Sequence, residues 1–127
     1  MKKLTLILLL FFIVSQTACS KDAQANAFLK QYDEVISEIA EKLEEGKIDE
    51  AQKVFDENEK SLNAKFDDVK RSLSIRFSAE TKKRINTEPQ KNMTELAEAA
   101  NKAIKKNPQD EAKIQALALD IANVVRR

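Results

Sequence analysis

The scarcity of chain breakers is the sequence feature that most constrains the fold. The 127-residue chain contains one glycine, Gly46, and two prolines, Pro89 and Pro108. Sheets need frequent turns, and turns rely on glycine, proline and small polar residues. So few breakers, in a chain rich in Ala, Lys, Glu and Gln, favour long helices joined by short turns. We therefore predict an all-α fold, a small antiparallel bundle of three to four amphipathic helices.

The first predicted helix begins at Ala27 and ends before Gly46, a residue suited to a left-handed helix cap. Its apolar residues recur at steps of three and four, the spacing of a coiled-coil seam. They are Leu29, Tyr32, Ile36, Ile39 and Leu43, with Phe28, Val35 and Ala40 widening the stripe.

A second helix is predicted from Asp49 to about Ile85, with Asp49 as its cap and Gln52 as the partner in a capping box. Its apolar positions are Ala51, Val54, Phe55, Leu62, Phe66, Val69, Leu73 and Phe77. Residues 73–77 alternate between apolar and polar as a strand does. A single strand would have no partner, so we interpret this stretch as helix with a kink near 72–78.

Two further helices complete the predicted bundle domain, residues 27–127. Asn86 to Pro89 is a helix start signal, and Asn107 is the predicted cap of the last helix. The third helix carries Met93, Leu96, Ala97, Ala100, Ala103 and Ile104, and the fourth carries Ile114, Leu117, Ala118, Ile121, Val124 and Val125. No single helix can bury its stripe alone, so the helices are expected to pack together.

Residues 1–18 have the three parts of an export signal. Lys2 and Lys3 form a positive head, an apolar run extends from Leu4 to Val14, and small or polar residues continue to Ala18. The run covers about eleven residues, whereas a membrane-spanning helix needs about 20. We therefore predict a cleaved signal peptide rather than a spanning anchor.

The end of this segment resembles the signal of bacterial lipoproteins. In their lipobox, one aliphatic and two small residues precede a cysteine. Thr17, Ala18 and Cys19 fit the last three positions, and Gln16 stands where the aliphatic residue is usual. The resemblance implies that Cys19 becomes the first residue of the mature chain and carries acyl chains. By the same resemblance, Ser20 after the cysteine implies the outer membrane, with the protein facing the periplasm.

The alternative interpretation is an ordinary soluble signal, cut after Ala18 or after Ala25. Cys19 is the only cysteine, so no internal disulfide is possible, and lipidation would account for a lone thiol in an exported chain. Each acyl methylene buried in the membrane contributes about 0.8 kcal/mol of anchoring. The polar residues 19–26 are predicted to be a lipidated tether between membrane and bundle.

Composition argues against several functions. Removing residues 1–18 leaves 20 basic and 21 acidic residues, a net charge near −1, and nucleic-acid binding calls for a strongly basic surface. The chain has no histidine, the commonest general base and transition-metal ligand. We predict no catalytic, cofactor-binding or metal-binding residues, and Cys19 is the only predicted site.

Three other patterns have structural interpretations. Residues 46–51 with Phe55, and residues 107–112, resemble junctions of tetratricopeptide repeats, but no 34-residue period links them. The acidic residues near Glu38 and Glu57 are interpreted as solvated helix faces. The basic runs 82–84 and 105–106 are interpreted as cations near helix C-termini.

The predicted function is that of a lipid-anchored envelope protein that binds another protein and does not catalyse a reaction. It attaches to the membrane through lipid on Cys19 and has a protein partner or forms a homo-oligomer. One alternative is a periplasmic inhibitor or immunity-type protein that blocks a toxin or hydrolase. Another is a structural envelope protein that self-associates through its helical seams.

Overall fold

The computed structural model describes residues 21–71 and 77–126. The regular elements within these residues are α1 (Asp22–Glu44), α2 (Ile48–Arg71), α3 (Ala79–Lys106), a 3-10 helix (Pro108–Asp110) and α4 (Glu111–Val124). The described part of the chain contains no strand. The prediction of an all-α helical bundle is therefore confirmed.

The most extensive helix–helix contacts are those that α1 makes with α2 and α3. The shorter helix α4 also packs against α2 and α3. Although consecutive helices alternate in direction, α1 and α3 run parallel. The Ser78 N–H donates to Asp22 Oδ1 at 2.9 Å at the start of both helices. Near their other ends, Lys102 Nζ lies 3.5 Å from Glu44 Oε1.

The core is built on the predicted seam of α1, and all eight of its predicted apolar residues are buried. The Phe28 ring stacks on Tyr32 with 5.4 Å between centroids and packs against Phe66 at 5.2 Å. The Tyr32 hydroxyl lies 3.3 Å from Met93 Sδ on α3 and 3.4 Å from the Ile121 carbonyl oxygen on α4. One α1 side chain therefore contacts two other helices.

α1 begins at Asp22, five residues before the predicted start at Ala27. Residues 22–26, which were predicted to belong to the tether over 19–26, are therefore helical. Ala25 is fully buried because it continues the apolar stripe one turn ahead of Phe28. Residues 19 and 20 lie outside the described part of the chain.

The turn after α1 has the predicted cap, since Gly46 has φ = +77°, a conformation that glycine adopts without steric cost. The predicted capping box is wrong. Asp49 lies inside the first turn of α2, which begins at Ile48, so its side chain is not in the cap position. Gln52 Nε2 donates instead to Asp56 Oδ1 at 2.9 Å.

The second predicted helix does not continue to Ile85, because α2 ends at Arg71 and α3 begins at Ala79. The break at Ser78 lies in the range where a kink was predicted. Ser78 is the N-cap of α3, with extended backbone and an Oγ that accepts the Thr81 N–H at 3.2 Å. This hydrogen bond satisfies one of the free N–H groups of a helix start. The alternating stretch ahead of Phe77 falls in residues 72–76, outside the described residues.

The helix start predicted at Asn86–Pro89 is wrong, since α3 continues through Pro89. A proline inside a helix costs about 3 kcal/mol through its missing N–H and ring clash. Pro89 is buried, so its packing offsets part of that cost. The Arg84–Glu88 ion pair, with Nε 2.7 Å from Oε1, spans the preceding turn of α3.

A 3-10 helix, Pro108–Asp110, connects α3 to α4, where the sequence predicted that the last helix starts directly after Asn107. Asn107 follows α3 and precedes the Pro108–Asp110 turn, and its side chain accepts no capping hydrogen bond, so the predicted cap is wrong in this detail. α4 then begins at Glu111 and buries Ile114, Leu117, Ile121, Ala122 and Val124. The predicted seam of the fourth helix is thus largely confirmed, with Ala118 and Val125 half-buried.

Candidate functional site: a polar groove between α1 and α3

A groove of about 480 Å³ lies between the parallel helices α1 and α3. On each helix the lining residues recur at steps of three and four, and so share one face. Those from α1 are Asn26, Leu29, Lys30 and Asp33, and those from α3 are Arg84, Glu88, Lys91 and Asn92. The groove is therefore lined mainly by polar and charged side chains.

Arg84 closes one end of the groove. Its Nε and Nη2 donate to the two carboxylate oxygens of Glu88 at 2.7 and 3.3 Å, and its Nη1 donates to Asn26 Oδ1 across the groove. The hydrogen bond to Glu88 raises the pKa of Arg84 above its ordinary value. Since both side chains are only half-buried and remain screened by solvent, the pair adds little to stability. Within the groove, the charges of Arg84 and Glu88 largely neutralise each other.

Asn92 is the buried polar residue of the groove. It is only 4% exposed, and its Nδ2 has no hydrogen-bond partner among the described residues. A buried donor without an acceptor costs about 1–3 kcal/mol. Such groups are uncommon in folded proteins, where buried polar atoms are almost always paired.

Three charged side chains of the groove remain outside ion pairs. Lys30, Asp33 and Lys91 form no salt bridge with any residue in the described ranges, and all three are exposed. Two ammonium groups and one carboxylate outside ion pairs therefore belong to the lining of the same groove as Asn92. The groove has a small excess of positive charge.

The predicted site residue, Cys19, lies outside the described residues, and so do the signal and lipobox. The structure does place the start of α1 at Asp22, only three residues after the cysteine. None of the described helices is long and apolar enough to cross a membrane.

The acidic and basic runs do not assemble into a site. The described residues contain no group of three or more His, Cys, Asp or Glu side chains placed to hold a metal ion. The basic run over 82–84 lies near the start of α3, so its interpretation as a C-terminal run is wrong. Lys105 and Lys106 do lie in the last turn of that helix, where cations complement the helix dipole.

Asn92 was not predicted from the sequence to be a site residue, although a signal for it exists. Once α3 is extended back to Ala79, Asn92 falls on the buried stripe that also contains Pro89, Leu96 and Ala103. An asparagine on an apolar stripe indicates a buried amide that needs a partner.

Comparisons with models of known families, with curated proteins and with solved structures give no match to this chain. Its function must be argued from its own residues.

Proposed function

We propose that this protein is a lipid-anchored helical protein of the bacterial envelope that acts by binding another protein, without catalysis. The observation that carries the proposal is the short separation between the lipobox-like Cys19 and the start of α1 at Asp22. Three residues span at most about 10 Å. A lipid on Cys19 would therefore hold the start of α1 close to the membrane surface.

The fold also supports a cleavage site ahead of Cys19 rather than the alternative site after Ala25. A cut after Ala25 would remove the first turn of α1, including the fully buried Ala25 itself. It would also remove Asp22, whose carboxylate accepts the Ser78 N–H at the start of α3. A cut before Cys19 leaves all of these contacts intact.

The described surface supports binding of a separate protein over self-association through an apolar seam. Leu119, at 54% exposure, is the one large hydrophobic side chain that is exposed within residues 21–71 and 77–126. Permanent homodimers usually bury a large apolar surface, and one exposed leucine among the described residues does not form such a surface. A partner would meet a mainly charged surface, which includes the α1–α3 groove.

In-cell photo-crosslinking of the full chain tests this proposal. A crosslinking residue is placed at Lys30 beside the groove or at Lys53 on the exposed face of α2. We expect the chain in the membrane fraction, with a discrete crosslinked protein from at least one position. The matched control carries a cysteine-free export signal in place of residues 1–19, and we expect it in the soluble fraction with less of the crosslinked product.

Two results would contradict the proposal. One is equal recovery of both chains in the soluble fraction, which would exclude the anchor. The other is the absence of a protein adduct from a series of crosslinker positions around the whole bundle, which would exclude protein binding.

A further inference from the structure

The charges of the bundle are distributed unevenly along its long axis. We propose that the end at which α1 and α3 begin is a membrane-facing surface that binds anionic phospholipid headgroups. We name it the basic end, and its cations include Lys21, Arg71, Lys82, Lys83 and Arg126. The inference rests on the proposed anchor at Cys19, because that attachment holds this end next to the membrane.

Contacts between the helices show which segments share the basic end. The Ser78 N–H donates to Asp22 Oδ1 at 2.9 Å, so α1 and α3 begin side by side. The Phe66 ring packs against Phe28 at 5.2 Å, which brings the last part of α2 to the first part of α1. Val125, just after α4, lines a small cavity together with Phe28 and Phe66. The ends of α2 and α4 therefore lie with the starts of α1 and α3.

A division of the bundle at the level of Tyr32, in the middle of α1, separates two halves of opposite charge. Tyr32 contacts Met93 and Ile121, and the Ser61 hydroxyl donates to the neighbouring Gln31. The half towards the basic end carries eleven basic and five acidic side chains, and the other half carries seven basic and sixteen acidic ones. The bundle therefore has a positive pole where α1 begins and a negative pole at the opposite end. The first half comprises the described residues 21–32, 60–71, 77–92 and 121–126, and the second comprises residues 33–59 and 93–120.

The positions of Lys82 and Lys83 are not explained by helix stability. Both side chains are exposed, and they closely follow the start of α3 at Ala79. The helix dipole is positive at this end and disfavours cations there, whereas it favours Lys105 and Lys106 in the last turn of the same helix. Neither Lys82 nor Lys83 forms a salt bridge with another described residue. Both ammonium groups are therefore available to an external anion.

An anionic membrane attracts cations that are held close to its surface. Each lysine or arginine there strengthens binding about fivefold, and the attraction falls off over about 10 Å at about 0.1 M salt. Because α1 begins at Asp22, a lipid on Cys19 would keep its start within about 10 Å of the membrane. The acidic half of the bundle is repelled by the same surface. We therefore expect the bundle to stand with its basic end against the headgroups.

Chemical acylation of lysines in the reconstituted full chain tests the inference. The protein is extracted from bacterial membranes and reconstituted into vesicles of phosphatidylcholine, or of equal parts phosphatidylcholine and phosphatidylglycerol. A water-soluble amine-reactive reagent is added, and the modified lysines are quantified by mass spectrometry. We expect Lys21, Lys82 and Lys83 to react about fivefold or more slowly on the anionic vesicles. Lys53 and Lys105, in the acidic half, should react equally on both, and high salt should abolish the protection.

Two double variants of α3 form a matched pair. Lys82→Gln with Lys83→Gln removes two exposed cations of the basic end, and Lys105→Gln with Lys106→Gln removes two exposed cations at the opposite end of the helix. The first variant should lower the ratio of membrane-bound to unbound basic ends about twentyfold. The reactivity of Lys21 on anionic vesicles should then rise to its value on phosphatidylcholine. The second variant should leave the protection of Lys21 unchanged.

Flotation of the same vesicles separates failure of the inference from failure of the lipid anchor. A chain that floats with both vesicles but shows equal lysine reactivity on both would overturn the inference and leave the anchor intact. A chain that floats only with anionic vesicles would support the inference and contradict the anchor, and flotation with neither would contradict both.

Two further results would overturn the inference. Equal loss of Lys21 protection in both double variants would reduce the effect to the net charge of the chain. Protection of the basic end by a soluble acidic peptide, but not by anionic vesicles, would assign this surface to an acidic protein instead of a membrane.

Discussion

Tyr32 gives the sharpest prediction because it is the only tyrosine in a chain without tryptophan. Its side chain is fully buried, and burial raises the pKa of its phenol to about 12, compared with about 10 in an unfolded chain. The phenolate is therefore less stable in the folded protein than in the unfolded one. Raising the pH is the perturbation that reveals this difference.

The pH dependence of the free energy of unfolding follows from the difference between the folded and unfolded pKa of Tyr32. Because the folded-state pKa is raised, the contribution of Tyr32 is fully present below pH 10 and is lost between pH 10 and 12. The free energy of unfolding should fall by about 1.4 kcal/mol at pH 11 and by about 2.3 kcal/mol at pH 12 from this group alone.

Tyr32→Phe is the matched control, and its effect changes sign with pH. The variant loses the hydroxyl that lies 3.4 Å from the Ile121 carbonyl oxygen. Near the end of α4, the Val125 N–H donates to Ala122 O at 3.3 Å, while the Tyr32 hydroxyl donates to the Ile121 carbonyl oxygen. Leaving a buried acceptor unpaired costs about 1–2 kcal/mol, so the variant should be less stable at pH 8. Since it has no phenol to ionise, it should become the more stable protein between about pH 11 and 12.

Two measurements check this prediction. Urea unfolding, followed by the helical circular dichroism signal, gives the stability of both chains from pH 8 to 12. Absorbance of the tyrosinate reports the ionisation of Tyr32 without interference from other tyrosines. A folded-state titration midpoint near 10, or stability curves of the two chains that stay parallel across this range, would refute the burial and bonding assigned to Tyr32.

Three further substitutions, two of them with matched control variants, test the fold by urea unfolding. Gly46→Ala should lower the free energy of unfolding by about 1–2 kcal/mol because alanine is strained at a positive φ. The new Cβ would lie 3.6 Å from Asn107 Nδ2, an ordinary contact, so the backbone conformation alone accounts for the cost. An unchanged urea midpoint would contradict the left-handed turn. Ser78→Ala should cost about 1 kcal/mol through loss of the cap on α3, and Ser78→Asp should largely retain it; equal stability of both variants would argue against a helix start there. Leu96→Ala should cost about 2–5 kcal/mol because Leu96 is fully buried, whereas Leu119→Ala should change stability by less than about 0.5 kcal/mol; similar effects of the two would contradict the assigned core.

The helical class and the buried faces were predictable because they depend on local periodicity. The stripe of α1 repeats without interruption from Phe28 to Leu43, and every predicted position is buried. Gly46 was equally predictable, since a single glycine between two amphipathic runs has few other roles. The apolar stripe of α1 was therefore predicted correctly, whereas Ala97, predicted to lie on the stripe of the third helix, is exposed.

The helix boundaries were less predictable because tertiary packing outweighs local signals there. Pro89 is a strong start signal in sequence, yet it lies buried within α3. The actual start is set by Ser78, which is tied to Asp22 at the start of α1, a contact that sequence spacing does not show. The groove was missed for a similar reason, since it forms between helices that are not consecutive and run parallel.

The lipid on Cys19 is tested most directly by mass spectrometry of the protein's native N-terminus after extraction from membranes. We expect a mature chain that begins at Cys19 and carries the mass of attached acyl chains. An unmodified chain beginning at Cys19 or at Asn26 would contradict lipid anchoring.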